Sequence, residues 1–290
     1  MSFTSTDFRT ILQNRFPHAG HDFSIEHIGG GSINNTLKVK LQDKYCFCKV
    51  NSAKHFPLLF EKEQNGLEAL RKLSVIKVPE VYDCFIENDL QVLVLEWFNP
   101  GPRTPQFWKR FGEQLAGLHS VHNDQFGWTE NNYMGSVDQL NDWHSSWPEF
   151  FWNQRLQPLI DKCLKANLLS SKNIQQFERL YKYLPEIFPP VQPSFVHGDL
   201  WSGNFLCTTN EEPVLIDPAV YFGHPSVDIG MTTLFGGFDP IFYEAYNYML
   251  PFPSNYQQQW EICNLYPLLI HLYLFGSSYL SSIESILKKI

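Results

Sequence analysis

The spacing of apolar residues divides the chain into two regimes. Residues 23 to 50 carry short apolar runs with period 2, the signature of strands. Ile25 to Ile28 leads into the glycine cluster Gly29-Gly30-Gly31-Ser32; Thr36 to Leu41, a turn at Asp43-Lys44 and a strand from Tyr45 to Val50 follow. In residues 60 to 73 the period lengthens. Glu63, Leu67 and Leu70 fall at i, i+4 and i+7 on one helical stripe, while Glu61, Lys62, Gln64, Asn65 and Glu68 point elsewhere. Val78-Pro79 opens an extended segment, and Val81 to Ile86, the turn Asn88-Asp89 and Leu90 to Trp97 read as a hairpin. The clearest break is Asn99-Pro100-Gly101-Pro102. After it, Phe107, Phe111, Leu115 and Leu118 mark a helix, and residues 150 to 184 carry one or two more. Phe195-Val196 and Val214 to Ile216 form a strand-like pair, and the C-terminal residues read as helices broken by Pro251 and Pro253. The pattern predicts an α+β chain of two lobes. A small β-rich lobe with one helix spans residues 1–98 and a larger, mainly helical lobe spans 99–290, with ligands expected at the seam.

Composition narrows this picture. Hydrophobic residues make up 43% and charged residues 18% of the 290 positions, which excludes disorder for the chain as a whole. Aromatic residues make up 16%, enough ring surface to require a deep core, a ring-lined pocket, or both. The net charge is -8, and no run of Lys or Arg is long enough to expect nucleic acid or an anionic membrane as partner. The most apolar run, residues 265 to 275, is too short to span a bilayer and contains His271. The opening MSFTSTDFRT has no basic region followed by an apolar one, so no secretory signal is expected. The six cysteines form no CxxC pair, which reads as reduced thiols in a cytoplasmic protein.

The chemistry concentrates in Phe195-Val-His-Gly-Asp-Leu-Trp-Ser-Gly-Asn204, followed by Val214-Leu-Ile-Asp217. Asp199, Asn204 and Asp217 sit at spacings of 5 and 13 residues, and each oxygen-bearing segment follows an apolar strand. Phosphoryl transfer needs such a set: one carboxylate to accept the proton of the attacking hydroxyl, and an amide with a second carboxylate to hold Mg²⁺ on the nucleotide phosphates. Magnesium takes hard oxygens and keeps several waters, so two protein ligands suffice. For His197, a ring that packs and hydrogen-bonds the loop is the leading reading, with direct proton transfer the other. The N-terminal lobe supplies what ATP would need. Gly29, Gly30, Gly31 and Ser32 let backbone amides approach phosphates, although such a run is also a plain tight connection. Period 2 places Lys49 with Tyr45 and Phe47, opposite Cys46 and Cys48, where an ammonium needs a counter-charge. Glu63, on the apolar stripe of the next helix, is the natural partner. Glu96, Trp97 and Phe98 at the hinge would offer backbone groups to adenine, from position alone.

Together these motifs resemble the fructosamine-3-kinase (ketosamine kinase) family, relatives of the aminoglycoside and choline kinases with the protein-kinase-like fold. The resemblance runs from about Phe23 to the C-terminal helices. It is carried by GGGSIN (29–34), CKVN (48–51), FEKEQNGLEAL (60–70), LVLEWF (93–98), NNYMGSVDQLNDW (131–143), FFWNQRLQP (150–158), HGDLWSGN (197–204), IDPAVYFGH (216–224), LFGGF (234–238) and FYEAY (242–246). It implies Asp199 as base, Asn204 and Asp217 as Mg²⁺ ligands, and Lys49 with Glu63 as the nucleotide-positioning pair. The implied reaction is ATP-dependent phosphorylation of the 3-hydroxyl of a ketosamine, free or on a glycated protein. The 3-phosphate then breaks down and frees the amine, a deglycation repair. Trp201 could stack on sugar or amine or pack on the helical lobe. Asn132, Gln139 and Asn141, with Trp143, could face the same pocket or form an ordinary loop. The chain departs from the family pattern at Ser32, where a cysteine is frequent, and at Pro225-Ser226, where Arg-Glu is frequent. Asp228 is expected to anchor the catalytic loop, and His119 and His122 to fill core or cap roles rather than bind metal. The rivals are an aminoglycoside- or choline-type kinase and a pseudokinase binding module, the latter opposed by the intact set of five polar residues.

Overall fold

The computed structural model describes residues 5–16, 24–29, 34–41 and 44–290. Gly30, Gly31 and Ser32 lie outside the described residues. The N-terminal lobe is a five-stranded antiparallel sheet of β1 (Ser24–His27), β2 (Asn35–Leu41), β3 (Lys44–Ser52), β4 (Val81–Glu87) and β5 (Leu90–Glu96), in the spatial order β1-β2-β3-β5-β4. The β4–β5 turn has positive φ at both Asn88 (52°) and Asp89 (66°), the geometry that matches strand twist in a two-residue hairpin.

Alternation along the strands sorts the two sheet faces. Leu37, Val39, Cys46, Cys48, Val50, Val92 and Val94 pack with Phe8 and Leu12 of α1 (Ser5–Arg15). The i, i+4 pair Phe8 and Leu12, with Ile11 between, gives α1 its apolar face, and Arg15 fastens it to β4 through Asp83 (2.7 and 3.0 Å). The amino terminus was not expected to be helical. On the opposite face, Leu93 and Leu95 meet Phe60, Leu67 and Leu70 of α2 (Leu59–Leu73), as the helical stripe predicts.

This second core continues into the C-terminal lobe through α3 (Pro105–His119), where Phe107, Phe111 and Leu115 join Phe205, Phe238 and Phe242. Thr104 caps α3, its side chain accepting from Phe107 N (3.3 Å), and Pro105 starts the helix, so the break at residues 99–102 ends in a defined helix start. The rest of the lobe comprises a hairpin of β6 (Asn132–Met134) and β7 (Val137–Gln139), then α4 (Trp147–Phe150), a π-helical turn (Phe151–Leu156), α5 (Gln157–Lys165) and α6 (Ser171–Ile187). Two pairs of short strands follow, β8 (Ser194–Val196) with β11 (Tyr221–Gly223) and β9 (Phe205–Cys207) with β10 (Pro213–Leu215). The chain closes with α7 (Ser226–Met231), α8 (Pro240–Met249), α9 (Tyr256–Cys263), α10 (Leu265–Phe275) and α11 (Leu280–Leu287). No helix among the described residues is long and apolar enough to cross a membrane.

Candidate active site

Two hairpin-like strand pairs build the catalytic loop. The segment after β8 carries His197-Gly198-Asp199, and the segment after β10 carries Asp217. They are tied together by Ala219 N donating to His197 O (2.9 Å) and Ile216 N donating to Asn204 O (3.1 Å). The approach is so close that a Cβ on Gly198 would lie 2.1 Å from Ala219 O, and Gly198 has φ +84°, so glycine is required on both counts. Asp217 itself adopts φ 55°, which turns it out of the strand direction.

Asp228 anchors this loop from behind, as expected. Wholly buried in α7, it accepts from His197 N (2.7 Å), Gly198 N (2.8 Å) and His119 Nε2 (3.0 Å), and His119 Nδ1 meets Tyr246 OH (2.7 Å). Burial opposes the charge on Asp228. The hydrogen bond and charge of His119, with His197 and the Gly198 N–H, outweigh it and hold the pKa below the usual carboxylate value. His119 is therefore a core histidine. His197 is likewise a loop brace: Nε2 bonds Ile216 O (2.9 Å), Nδ1 takes the Asp199 N–H (3.3 Å), and burial lowers its pKa against the pull of Asp228. With both ring nitrogens used on the backbone, the bracing reading holds.

Of the residues singled out from sequence, Gly29, Lys49, Glu63, Asn132, Asp199, Trp201, Asn204 and Asp217 line one cavity of about 470 Å³ between the lobes. Lys49 Nζ lies 2.7 Å from Glu63 Oε1 and 2.6 Å from Asp217 Oδ1, with the lysine side chain only 2% exposed. Burial disfavours its charge, but Asp217 and Glu63 more than offset that and raise its pKa. Asn204 Nδ2 donates to Asp199 O (2.8 Å) and Oδ2 (3.0 Å), which leaves Asp199 Oδ1 without a protein donor among the described residues. Burial, then the charge of Asp217, pushes the Asp199 carboxyl well above its ordinary range.

That electrostatic strain has a chemical meaning. Two carboxylates share a buried site, the Asn204 amide turns its nitrogen to Asp199 and keeps Oδ1 available, and Asp217 is 35% exposed to the cavity. A hard-oxygen donor set with excess negative charge fits a divalent cation that takes its remaining ligands from phosphate and water.

Other expected site residues fall differently. Trp201 packs on the helical lobe, edge-to-face on Phe235 (6.1 Å), and also lines the cavity. Asn132 reaches the cavity wall, but its amide nitrogen is spent on Val220 O (2.9 Å). Gln139 and Asn141 do not line the cavity. Gln139 bonds Asn132 Oδ1, Ala219 O and Tyr266 OH; Asn141 bonds Glu130 O, Asn132 Oδ1 and the buried Arg155 (2.7 Å). Their amides are satisfied inside the protein, where Gln139 holds the Ala219 carbonyl after Asp217 and Asn141 holds the 130–132 segment and Arg155. Glu96, Trp97 and Phe98 also lie off the cavity lining; Glu96 N is taken by Glu80 O (2.9 Å), and the Trp97 indole donates to Asn99 (3.1 Å). Sequence reasoning missed the far wall, where Phe235, His271 and Tyr279 face the cavity. Only the aromatic excess pointed to it.

A lysine–carboxylate pair on a five-stranded sheet, facing an Asp/Asn/Asp loop set across a seam, defines a phosphotransferase of the protein-kinase-like fold with an alcohol group as acceptor. The comparisons agree. The profile of the fructosamine kinase family matches residues 6–290, and the chain belongs to that family. It is 35% identical over 288 residues to a Synechocystis sp. protein named "Probable ketoamine kinase", covering 97% of this chain and 96% of that one. It is 34% identical over 269 residues to the chloroplastic protein-ribulosamine 3-kinase of Arabidopsis thaliana, covering 91% and 81%. The crystal structure of a "putative fructosamine-3-kinase" from Thermobifida fusca superposes with TM-score 0.85 at 29% identity, covering 96% and 97%. Aminoglycoside phosphotransferase APH(4)-Ia, at 14% identity, TM-score 0.65 and 98% and 99% coverage, shares the fold.

Proposed function

We propose that the protein transfers the γ-phosphoryl group of ATP to the 3-hydroxyl of a ketosamine, a fructose- or ribulose-derived adduct on a lysine or small amine. The observation that carries this reading is the meeting of Lys49, Glu63, Asp199, Asn204 and Asp217, drawn from four separate segments, around one cavity. The names of the ketoamine and ribulosamine kinase relatives support the acceptor class.

In this reading residues 1–98 hold the nucleotide and residues 99–290 hold the acceptor. Lys49, kept charged and aimed by Glu63, leaves Asp217 for the phosphates. Mg²⁺ held by Asn204 Oδ1 and Asp217 would neutralise the charge on the nucleotide phosphates. Asp199 Oδ1 is open to the acceptor hydroxyl and takes its proton, while Asn204 fixes the other carboxylate oxygen. Gly29 lines the cavity, where its backbone would approach phosphate. Trp201, Phe235, His271 and Tyr279 give the acceptor a ring-lined wall. All six cysteines are free, which fits a reducing cytoplasm.

The test is ATP consumption with fructose- and ribulose-substituted lysine beside an amino sugar and an amino alcohol. Ketosamines should turn over fastest, with phosphate appearing on the 3-oxygen by ³¹P NMR. Turnover of the amino sugar or amino alcohol far above the ketosamines would overturn the substrate assignment.

A further inference from the structure

Glu130, just before β6, joins the two lobes through both of its carboxylate oxygens. Oε1 accepts from Asn65 Nδ2 (2.8 Å) and Oε2 pairs with Lys62 Nζ (2.5 Å). Lys62 and Asn65 are three residues apart on one face of α2 and flank Glu63, the partner of Lys49. The contact spans 68 and 65 residues of sequence and is mostly removed from solvent, with Lys62 19% and Glu130 26% exposed.

Core packing of Phe60, Leu67 and Leu70 holds one face of α2, and the Glu130 contact holds Lys62 and Asn65. The N-cap residue of α2, Leu58, has φ 60° and supplies no side-chain cap; the nearest substitute is Gln91 on β5, whose Oε1 accepts from Phe60 N (3.2 Å). On its inner side the helix touches the Asp217 segment, where a Cβ on Gly66 would meet Pro218 at 3.2 Å. The hairpin that follows Glu130 holds both neighbours of the active site. Tyr133 OH donates to Pro57 O (3.0 Å) ahead of α2, and Asn132 and Gln139 bond Val220 O and Ala219 O behind Asp217.

We propose that Glu130 is a positioning residue for nucleotide binding: by holding Lys62 and Asn65 it fixes the rotation of α2 and so keeps Glu63 on Lys49. The inference rests on the phosphotransferase reading above. Without this latch, α2 turns, Glu63 withdraws, and Lys49 is left on Asp217 alone. The ammonium is then less available to phosphate, and one Asp217 oxygen is less available to a cation.

Three variants test this: Glu130→Ala, Glu130→Gln, and the pair Asn65→Asp with Glu130→Gln. In the pair, an amide donor faces a carboxylate and the contact is rebuilt with its polarity reversed. Affinity for ATP with Mg²⁺ is read by titration, and the KM for ATP and for ketosamine by steady-state kinetics. Glu130→Ala should weaken ATP binding and raise the KM for ATP by about fivefold, the worth of a partly exposed ion pair. The KM for ketosamine should stay within twofold, and the double variant should recover most of the ATP affinity. ATP affinity within twofold of wild type in Glu130→Ala, or no recovery in the double variant while Glu130→Gln is impaired, would overturn the proposal. The titration needs no acceptor, so wild type that binds ATP but phosphorylates no ketosamine would refute the substrate reading while the comparison still decides the role of Glu130.

Discussion

Asp228→Asn isolates what the buried anchor does, because it removes a charge with almost no change of volume. Asp228 accepts three hydrogen bonds, two from the backbone of the catalytic loop and one from His119, at 2.7 to 3.0 Å and with no solvent exposure. An asparagine has one acceptor oxygen. If its amide nitrogen replaces Oδ1 it faces the Gly198 N–H; if it replaces Oδ2 it faces the His197 N–H. One buried backbone donor is therefore orphaned in either orientation, at about 1–3 kcal/mol, and the remaining bonds lose their ionic character, about 1 kcal/mol more. The expected loss is about 3 kcal/mol, a large share of the roughly 5–15 kcal/mol of an ordinary protein, and a fall of about 1 M in the urea midpoint. Asp199 directly follows the two donors, so kcat should fall at least tenfold as the loop shifts. Urea unfolding and steady-state kinetics on the same preparation read both effects. A destabilisation below about 1 kcal/mol with kcat within twofold would refute the argument that Asp228 carries the loop.

Other outcomes follow from the same geometry. If Asp199 is the base, as proposed, Asp199→Asn should lower turnover by about 10²–10⁴-fold with ATP affinity, read by titration, nearly unchanged, since a base is needed only for chemistry. Asp217→Ala should act the other way, weakening ATP binding in the presence of Mg²⁺ at least tenfold; equal affinity would remove it from the cation site. His224 is buried, and burial first, then the charge of His119, lowers its pKa to about 3. The unfolded chain takes up this proton below about pH 6.5 while the folded chain resists, so stability should fall as pH drops through the window from 6.5 to 3, by about 2 kcal/mol at pH 5. His224→Asn keeps an acceptor for the Ser226 N–H that Nδ1 now takes (3.1 Å) and removes the titration. Its urea midpoint should fall less between pH 7 and pH 5 than that of wild type, and an identical fall would refute the assignment.

What was legible in the sequence had strong local periodicity or a partner forced by charge. Lys49 on the ring face of β3 demanded a counter-ion, and of the three glutamates in the next helix only Glu63 shared the stripe of Leu67 and Leu70. The 2.7 Å pair follows from those two facts. The HGD loop and Asp217 were legible because each follows a short apolar strand. Helix α1 was missed although Phe8, Ile11 and Leu12 have helical spacing, because the segment was weighed only as a leader. The β6–β7 hairpin was invisible for a different reason: three-residue strands contain a single alternation, too little to show a period. Asn132, Gln139 and Asn141 show a further limit. An amide that binds substrate and one that binds a neighbouring carbonyl are the same residue type in the same polar stretch, and only the fold brings Val220 to Asn132, Ala219 to Gln139 and Arg155 to Asn141. Glu130 had no signal of its own, since its partners lie more than sixty residues away.

These placements explain why so much buried polar structure surrounds so small a reactive set. Asp199 and Asp217 face one cavity, and the charge of Asp217 adds to burial in raising the cost of ionising Asp199. The fold relieves this only in part, through the charge of Lys49. It places Lys49 on Asp217 at 2.6 Å and lets Glu63 hold the lysine from the other side. A site left short of positive charge in this way tends to come apart, by Asp199 taking up a proton or by the loop moving. The restraints therefore sit behind the reactive groups: Asp228 on the His197–Gly198 backbone, Asn132 and Gln139 on the Ala219–Val220 backbone, and Asn204 on Asp199. The amides of Asn132, Gln139 and Asn204 do this without adding charge, whereas Asp228 adds to the negative potential that Asp199 feels. The excess negative potential is kept at the cavity surface, where a nucleotide-bound cation can use it.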